Sequence, residues 1–482
     1  MGVDVAYIAA WVLPALVGGG IWTALSGRSR WAFDFPAAIG GGWLIGVFVA
    51  AGCARLVALA DTAHAFSRAL PWYVAIGIGA WFAAIVRLRR VPAGSATPIE
   101  AASMLSRVLW WLLLAWIVFR FWVIGDEASL RPVFPWDAWS AWSIKPKTWF
   151  LTGYFEPYVS MLDWLSNTDR DLRTAASWSY PELLAWVQLW FASAAGAWNE
   201  PLVGVTWCGT LAAFALAAYG YWRALGLASW VALALVYGLV SLPLIDAHVA
   251  LAGYADLWVA LTLGLATLAW TRWLIGREPR QLALATGIAL CLPVIKLEGM
   301  VWLISFCAVV AVDLVPLHRR RLVLWGVPVV LIASALVAAL VSSHSGRNWI
   351  EIPSLGTFAL AWHGVGGAMI ASLFTLPNWH LLWYVVPVLL VVRRRRFRND
   401  RAARMLGLML LIDFAFLFAL FFLTTASAWA QDFTSANRLI LQLVPSVFVL
   451  AAVLLRPMTQ PGEVSVATRR RVEASVEQNV PA

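Results

Sequence analysis

The stretch YPELLAWVQLWFASAAGAW at residues 180–198 decides how this chain is organised. It is apolar and close to the length of about 20 residues that crosses a bilayer. If it crosses, every later loop changes sides. The runs RRR at 319–321 and RRRR at 393–396 then oppose the run RLRR at 87–90. If it does not cross, seven basic regions share one side: Arg28/Arg30, Arg87 to Arg107, Arg223, Arg272 to Arg280, Arg319 to Arg321, Arg393 to Arg404, and the tail from Arg456. These hold 24 of the 35 Lys and Arg, and the other side keeps 11. Cytoplasmic loops concentrate basic residues, so the second arrangement is selected. Residues 180–198 are read as a flat or re-entrant helix, and the ambiguous stretch 360–376 likewise. The N-terminus is then outside and the C-terminus inside.

Composition supports a membrane setting. Of 482 residues, 62% are hydrophobic and only 12% charged, about half the charge of a soluble domain. Thirteen apolar segments lie near 5–25, 37–58, 71–88, 108–124, 202–222, 228–246, 254–275, 281–297, 299–315, 322–342, 380–392, 404–424 and 438–455. The expectation is an all-α polytopic membrane protein, a bundle of thirteen transmembrane helices with flat juxtamembrane helices in one large outer loop. A soluble dinucleotide enzyme, a disulfide scaffold and a nucleic-acid partner are excluded. The N-terminal segment lacks the basic start of a signal peptide and is read as a retained span. The four cysteines lie in apolar runs without CxxC pairing and read as small hydrophobes. Residues 1–104 form a glycine-rich three-span appendage and linker, with Gly42/Gly46 a close-packing pair. Residues 105–456 form the core, and 457–482 a polar, disordered cytoplasmic tail.

This topology puts the loops of mixed polar chemistry outside: 125–201, 343–379, and the turns at 246–254, 297–299 and 425–437. Any chemistry belongs at that face. There are 32 tryptophans, and Trp prefers the membrane interface. In the loop 125–201, Trp136, Trp139 and Trp142 recur every third residue. That spacing places them on one helix face, lying in the headgroup layer. Asp137 stands beside this stripe, and Pro146 ends or kinks the helix. The arrangement puts an acid and two lysines, Lys145 and Lys147, at membrane-surface depth. Asp137 is either an ordinary helix-start acid or a base, since a carboxylate against apolar surface has its pKa raised. A second flat helix from Tyr180 carries Glu182 at its start.

The order of these features resembles the GT-C superfamily of membrane glycosyltransferases, which take sugars from polyprenyl-phosphate donors. The resemblance lies in GDE at 125–127, WDAWSAWSIKPK at 136–147, SYPELLAWVQLW at 179–190, AGYADLWVALTLGLA at 252–266, LPVIKLEGMVWL at 292–303 and SANRLILQLVP at 435–445. It covers residues 105–456, and the first three spans depart from the minimal family core. It implies a bacterial inner-membrane enzyme with its active site on the periplasmic face. A sugar passes with inversion from a polyprenyl-phosphate-linked donor to a glycan, lipid or protein acceptor. An outer-loop acid, Asp137 or its rival Asp126, is the base.

Residues for substrate binding follow, each with a plainer reading. Lys296 and Glu298 either close a hairpin by pairing with each other or place a lysine at the lipid phosphate. Arg438 either snorkels to the interface or forks onto phosphate. Asp256 ends a span on the outer side, and Glu127 adjoins Asp126. His344 and Arg347 begin the second loop and contact substrate or only water. Asp246, His248 and Asp256 are spaced weakly for a divalent metal, and no cofactor is firmly implied. Asp413, within a span, is flagged as an intramembrane acid. The alternative function is a transporter or flippase of lipid-linked saccharides. It is disfavoured because midplane charges are few and no repeat is found.

Overall fold

The computed structural model describes residues 5–26, 31–90, 103–167, 171–315, 349–352 and 356–457. Helices dominate. The only strands among the described residues form two two-stranded pairs: β1 (Tyr158–Val159) with β2 (Arg173–Thr174), and β3 (Trp349–Ile352) with β4 (Gly356–Ala359). The segment expected at 322–342, the residues His344 and Arg347, and the tail beyond 457 lie outside the described residues.

Three long helices open the chain: α1 (Val5–Ser26), α2 (Trp31–Val57) and α3 (Ala65–Arg90). The glycines expected at their contact are there. A methyl group on Gly18 would sit 1.8 Å from the Gly42 carbonyl oxygen, and one on Gly46 would sit 2.1 Å from that of Pro14. Backbones this close exclude any larger residue. Gly40 approaches the backbone of the later helix α8 (Glu200–Ala224) in the same way. The first three helices are therefore packed into the core rather than hung on it.

After α3 come α4 (Met104–Leu130), then a loop with α5 (Ile144–Thr152), α6 (Met161–Ser166) and α7 (Leu183–Ala194), and then α8. Two helices, α9 (Ser229–Val240) and α10 (Pro243–Ala250), are bent by 63° where one span was expected. Pro243 explains the break, because it lacks the N–H that a continuous helix needs. The next elements are α11 (Ala255–Gly276), α12 (Pro279–Ala289), α13 (Leu292–Ile295) and α14 (Gly299–Leu314). The chain continues with α15 (Gly366–Ile370), α16 (Leu382–Val392), α17 (Arg394–Asn399), α18 (Arg401–Leu423), α19 (Ser427–Gln431) and α20 (Ser435–Leu455).

Eight of these helices are long and apolar enough to cross a membrane, or nine if the bent α9–α10 pair counts as one span. Thirteen spans are not reached among the described residues. The apolar helices Gly299–Leu314 and Leu382–Val392 are short, and 281–297 is broken between α12 and α13. The stretch 180–198 forms only the 12-residue α7, about 18 Å long against a hydrocarbon core of about 30 Å. It does not lie with its tryptophans in the headgroups, because Trp186 and Trp190 are fully buried in protein. The stretch 360–376 is not one helix either. It runs from a bridge at Leu360 through coil into α15 and a wide π turn.

Two helices, α11 and α20, are the most enclosed of the long ones, and they pack on each other. Thr267 and Ser446 are within hydrogen-bond reach across their contact, at 3.3 Å. The far end of α11 is tied by Asp313. Its carboxylate accepts from both ends of Arg277, at 2.6 and 3.1 Å, from Arg401 at 2.7 Å and from Trp273 at 3.1 Å. That cluster pins the ends of α11, α14 and α18 together, which fixes the helices whose other ends carry the site.

Candidate functional site

Asp256 lies in the first turn of α11 with no exposed surface. A carboxylate there is costly unless fully partnered, and it is. Lys296 Nζ donates to Oδ1 at 2.9 Å and Gln442 Nε2 donates to the same oxygen at 2.6 Å. Arg438 donates to Oδ2 through Nε at 3.0 Å and through Nη2 at 2.8 Å. Gln442 stands one turn below Arg438 on α20, and its own oxygen accepts from Trp302 at 2.6 Å. These bonds turn one edge of the Arg438 guanidinium inward. Its remaining Nη1 donates to Asp137 Oδ2 at 2.6 Å. The guanidinium also lies 4.5 Å over the Tyr254 ring, a cation–π contact. Arg438 thus folds into the protein and does not snorkel.

Four residues singled out from separate sequence motifs, Asp137, Asp256, Lys296 and Arg438, therefore meet. With Glu298, which pairs with Lys296 at 3.0 Å, and Tyr180, they line a cavity of about 330 Å³. Three carboxylates and two cations face it. Two aromatic pairs line it, Trp142 stacked on Tyr180 at 5.0 Å and Trp429 set edge-on to Phe358 at 5.7 Å. Val301 on α14, Phe416 and Leu420 on α18, and Leu439 on α20 add apolar surface. Burial is the main factor raising the Tyr180 phenol pKa above its ordinary value, with Glu298 adding to it.

The loop that brings Asp137 here differs from the expected Trp-striped helix. Residues Ala138–Trp142 form a π turn, closed by Ser143 N–H donating to the Ala138 carbonyl at 2.8 Å. A π turn holds more residues than an α turn, so spacing by three no longer shares a face. Trp136 and Trp139 stay exposed and pair edge-on at 4.7 Å. Trp142 turns the other way and is buried against Tyr180. Asp137 makes no capping hydrogen bond, so it is not an ordinary helix-start acid. The helical run does break at Ser143, just ahead of Pro146, whose missing N–H leaves the Trp142 carbonyl to Gln188. The proline sits in the first turn of α5, where a missing N–H costs little.

The remaining predicted residues are placed elsewhere. Lys145 is buried away from the cavity and donates to the carbonyls of Trp178 and Tyr180, both at 2.8 Å. Burial holds its amine below the ordinary lysine pKa, against the pull of Glu182. Lys147 pairs with Glu200 at 2.8 Å, so the two lysines and the acid do not form one surface cluster. Glu182 pairs with Arg55 at 3.3 Å. Asp126 and Glu127 lie in the last turns of α4, not in a loop. Glu127 pairs with Arg131 at 2.8 Å, and Asp126 is exposed. Neither lines the cavity. The Asp246–His248–Asp256 set diverges. Asp246 pairs with Arg120 at 2.9 Å, and His248 Nδ1 is 2.8 Å from the Leu244 carbonyl. No three His, Cys, Asp or Glu side chains converge among the described residues. Asp413 is buried in α18, and neither of its carboxylate oxygens has a hydrogen-bond partner.

No protein-family model, no curated protein and no solved structure matches the chain. The GT-C likeness rests on motif order alone.

Proposed function

We propose that this protein is a membrane glycosyltransferase of the GT-C type. It takes a sugar from a polyprenyl-phosphate-linked donor and passes it, with inversion at C1, to an acceptor at the outer membrane face. The observation that carries this reading is the meeting of Asp137 and Arg438 in one cavity, 2.6 Å apart. Arginine, held edge-on by a buried carboxylate, has its Nη1 end on a part-exposed carboxylate that a phosphate oxygen can displace. A carboxylate within reach of that end can take a proton from an acceptor hydroxyl.

The chemistry then follows from the residues. Asp256 orients Arg438 and Lys296. When the donor phosphate enters, Arg438 Nη1 moves from Asp137 to the phosphate and stabilises the charge that develops as C1–O breaks. Asp137 is thereby released. It removes the acceptor proton as the acceptor oxygen bonds C1 from the face opposite the leaving phosphate. The aromatic residues of the cavity offer apolar faces to a sugar ring, and Val301, Phe416 and Leu420 suit the first isoprene units. The polar cavity and the Asp313 cluster lie at opposite ends of α11, so the lipid phosphate meets the protein at headgroup depth.

In this reading the chain spans an inner membrane with the cavity end outside. Cysteine placed at Ser166 is expected to react with an impermeant maleimide in intact cells, and cysteine placed at Arg398 to react only after lysis. Both residues are exposed. Labelling of position 398 in intact cells overturns the orientation. Turnover is tested with purified protein in vesicles and a polyprenyl-phosphate sugar labelled in the sugar. The expected result is appearance of label in the acceptor with release of one polyprenyl phosphate per transfer. Movement of intact labelled lipid between leaflets, without bond cleavage, would replace this reading by the transporter one. The buried, unpartnered Asp413 favours that alternative, because intramembrane acids mark ion and substrate paths.

A further inference from the structure

The first three helices have no role in the chemistry above, yet they are bonded to the loop that carries Asp137. The link between α2 and α3 is stitched to that loop by its backbone. Phe155 N–H donates to the Leu59 carbonyl at 2.7 Å, and Thr62 N–H to that of Gly153 at 2.9 Å. The Thr62 hydroxyl donates to the Trp149 carbonyl. Arg55, at the end of α2, pairs with Glu182 and lies 4.6 Å over the Phe155 ring.

Helix α7 completes the connection. One face is seated in the N-terminal unit. Trp190 packs on Phe66 at 4.6 Å and on Tyr73 at 5.2 Å, and Phe191 packs on Trp11 at 5.0 Å. On the side of the helix opposite Trp190, Gln188, 1% exposed, reaches the π turn. Its Nε2 donates to the Trp142 carbonyl at 2.9 Å, and its Oε1 accepts from the Ser143 hydroxyl at 2.8 Å. A π turn is unusual backbone, and an amide with both functions used fixes its C-terminal end. Asp137 stands at the N-terminal end of the same turn.

We infer that the N-terminal three-helix unit is the seat of the acid-bearing turn, and that Gln188 is the positioning residue through which α7 holds Asp137 in register with Arg438. Only the kinetic arm of the test rests on the glycosyltransferase reading. The structural arm stands without it.

The test compares full-length protein with Gln188→Met and Phe66→Leu by amide hydrogen exchange in nanodiscs. Gln188→Met keeps the length and loses both hydrogen bonds. Phe66→Leu loosens the seat from the N-terminal unit alone. Both are expected to speed exchange of the Ser143 amide and its neighbours in 138–143 by about tenfold, the scale of one lost hydrogen bond, with α11 and α20 unchanged. In the turnover assay Gln188→Met should lower kcat by up to about a hundredfold, the effect of a misplacement near 1 Å. Donor KM should be unchanged, because Arg438 is untouched. Gln188→Glu, which retains the acceptor for Ser143, should recover part of the loss. If exchange in 138–143 stays at the wild-type rate in either variant, the seat is not coupled to the turn and the inference is overturned. If exchange rises in both while no sugar transfer is found in any form, positioning stands and the proposed activity fails.

Discussion

Asp137→Asn is expected to lower sugar transfer by roughly 10²–10⁴-fold, the range that a lost general base accounts for, while the protein still inserts and still binds donor. Asparagine keeps the shape and can still accept from Arg438, but it cannot take the acceptor proton. Stability should hardly change. The Asp137 side chain is 41% exposed, and a pair this open to water contributes at most about 1 kcal/mol. Asp126→Asn is the control. That residue is exposed on the end of α4 and outside the cavity, so its variant should retain activity. Reversed results would make Asp126 the base. Full activity in both would remove the chemical centre of the account and bring the transporter reading forward.

The second large effect falls on stability. Asp256→Asn takes the shared buried counter-ion from Lys296 and the part-buried Arg438 and leaves each one carboxylate, Glu298 and Asp137. Removing one partner of a buried pair costs about 3–5 kcal/mol, a large share of a typical total of about 5–15 kcal/mol. The expected result is a marked fall in unfolding temperature of the purified protein, together with loss of turnover. The double variant Asp256→Asn/Lys296→Met, which also removes one of the two cations that lost this partner, should be less destabilised than the two single costs would add to. Unchanged melting in Asp256→Asn would show that the cluster does not hold α11 to α20.

The contrast between what the sequence made legible and what it hid is physical. Charges are rare in this chain, so those at span ends stand out. Asp256, Lys296 and Arg438 were visible for that reason, and all three bond together. Gln442 and Gln188 were not, although both lie inside stretches quoted for other residues. A neutral amide in an apolar helix carries no charge signal. The only hint for Gln442 was its place four residues after Arg438, on the same helix face. Tyr254 was hidden because a ring two residues before a span acid looks like an interface anchor. Burial of Lys145 could not be foreseen, because its partners are backbone carbonyls of a distant loop.

The Trp stripe misled for a different reason. A spacing of three implies one face only if the backbone is α-helical, and the π turn at Ala138–Trp142 breaks that condition. The span count rested on apolar length, which does not separate a crossing helix from one enclosed by protein. In α7 the same tryptophans that suggested a membrane interface pack inside the protein, Trp190 on Phe66 and Tyr73 of α3 and Trp186 on Trp149 and Phe155 of its own loop. The breaks between α9 and α10 and between α12 and α13 had a readable cause in Pro243 and Pro293.

The central claim is that Arg438 exchanges its Nη1 bond to Asp137 for one to a lipid-borne phosphate. Binding of polyprenyl phosphate, the leaving group common to all donors of this class, to the protein in nanodiscs tests it most directly. The wild type is expected to bind it saturably and to discriminate strongly against the uncharged polyprenol. Arg438→Ala should weaken binding by the folded protein roughly 10- to 150-fold, the loss of one charged hydrogen bond, and should also lower its unfolding temperature, because buried Asp256 loses two of its donors. Equal binding of the phosphate and the alcohol by the wild type, or an unchanged affinity in Arg438→Ala, would contradict the account.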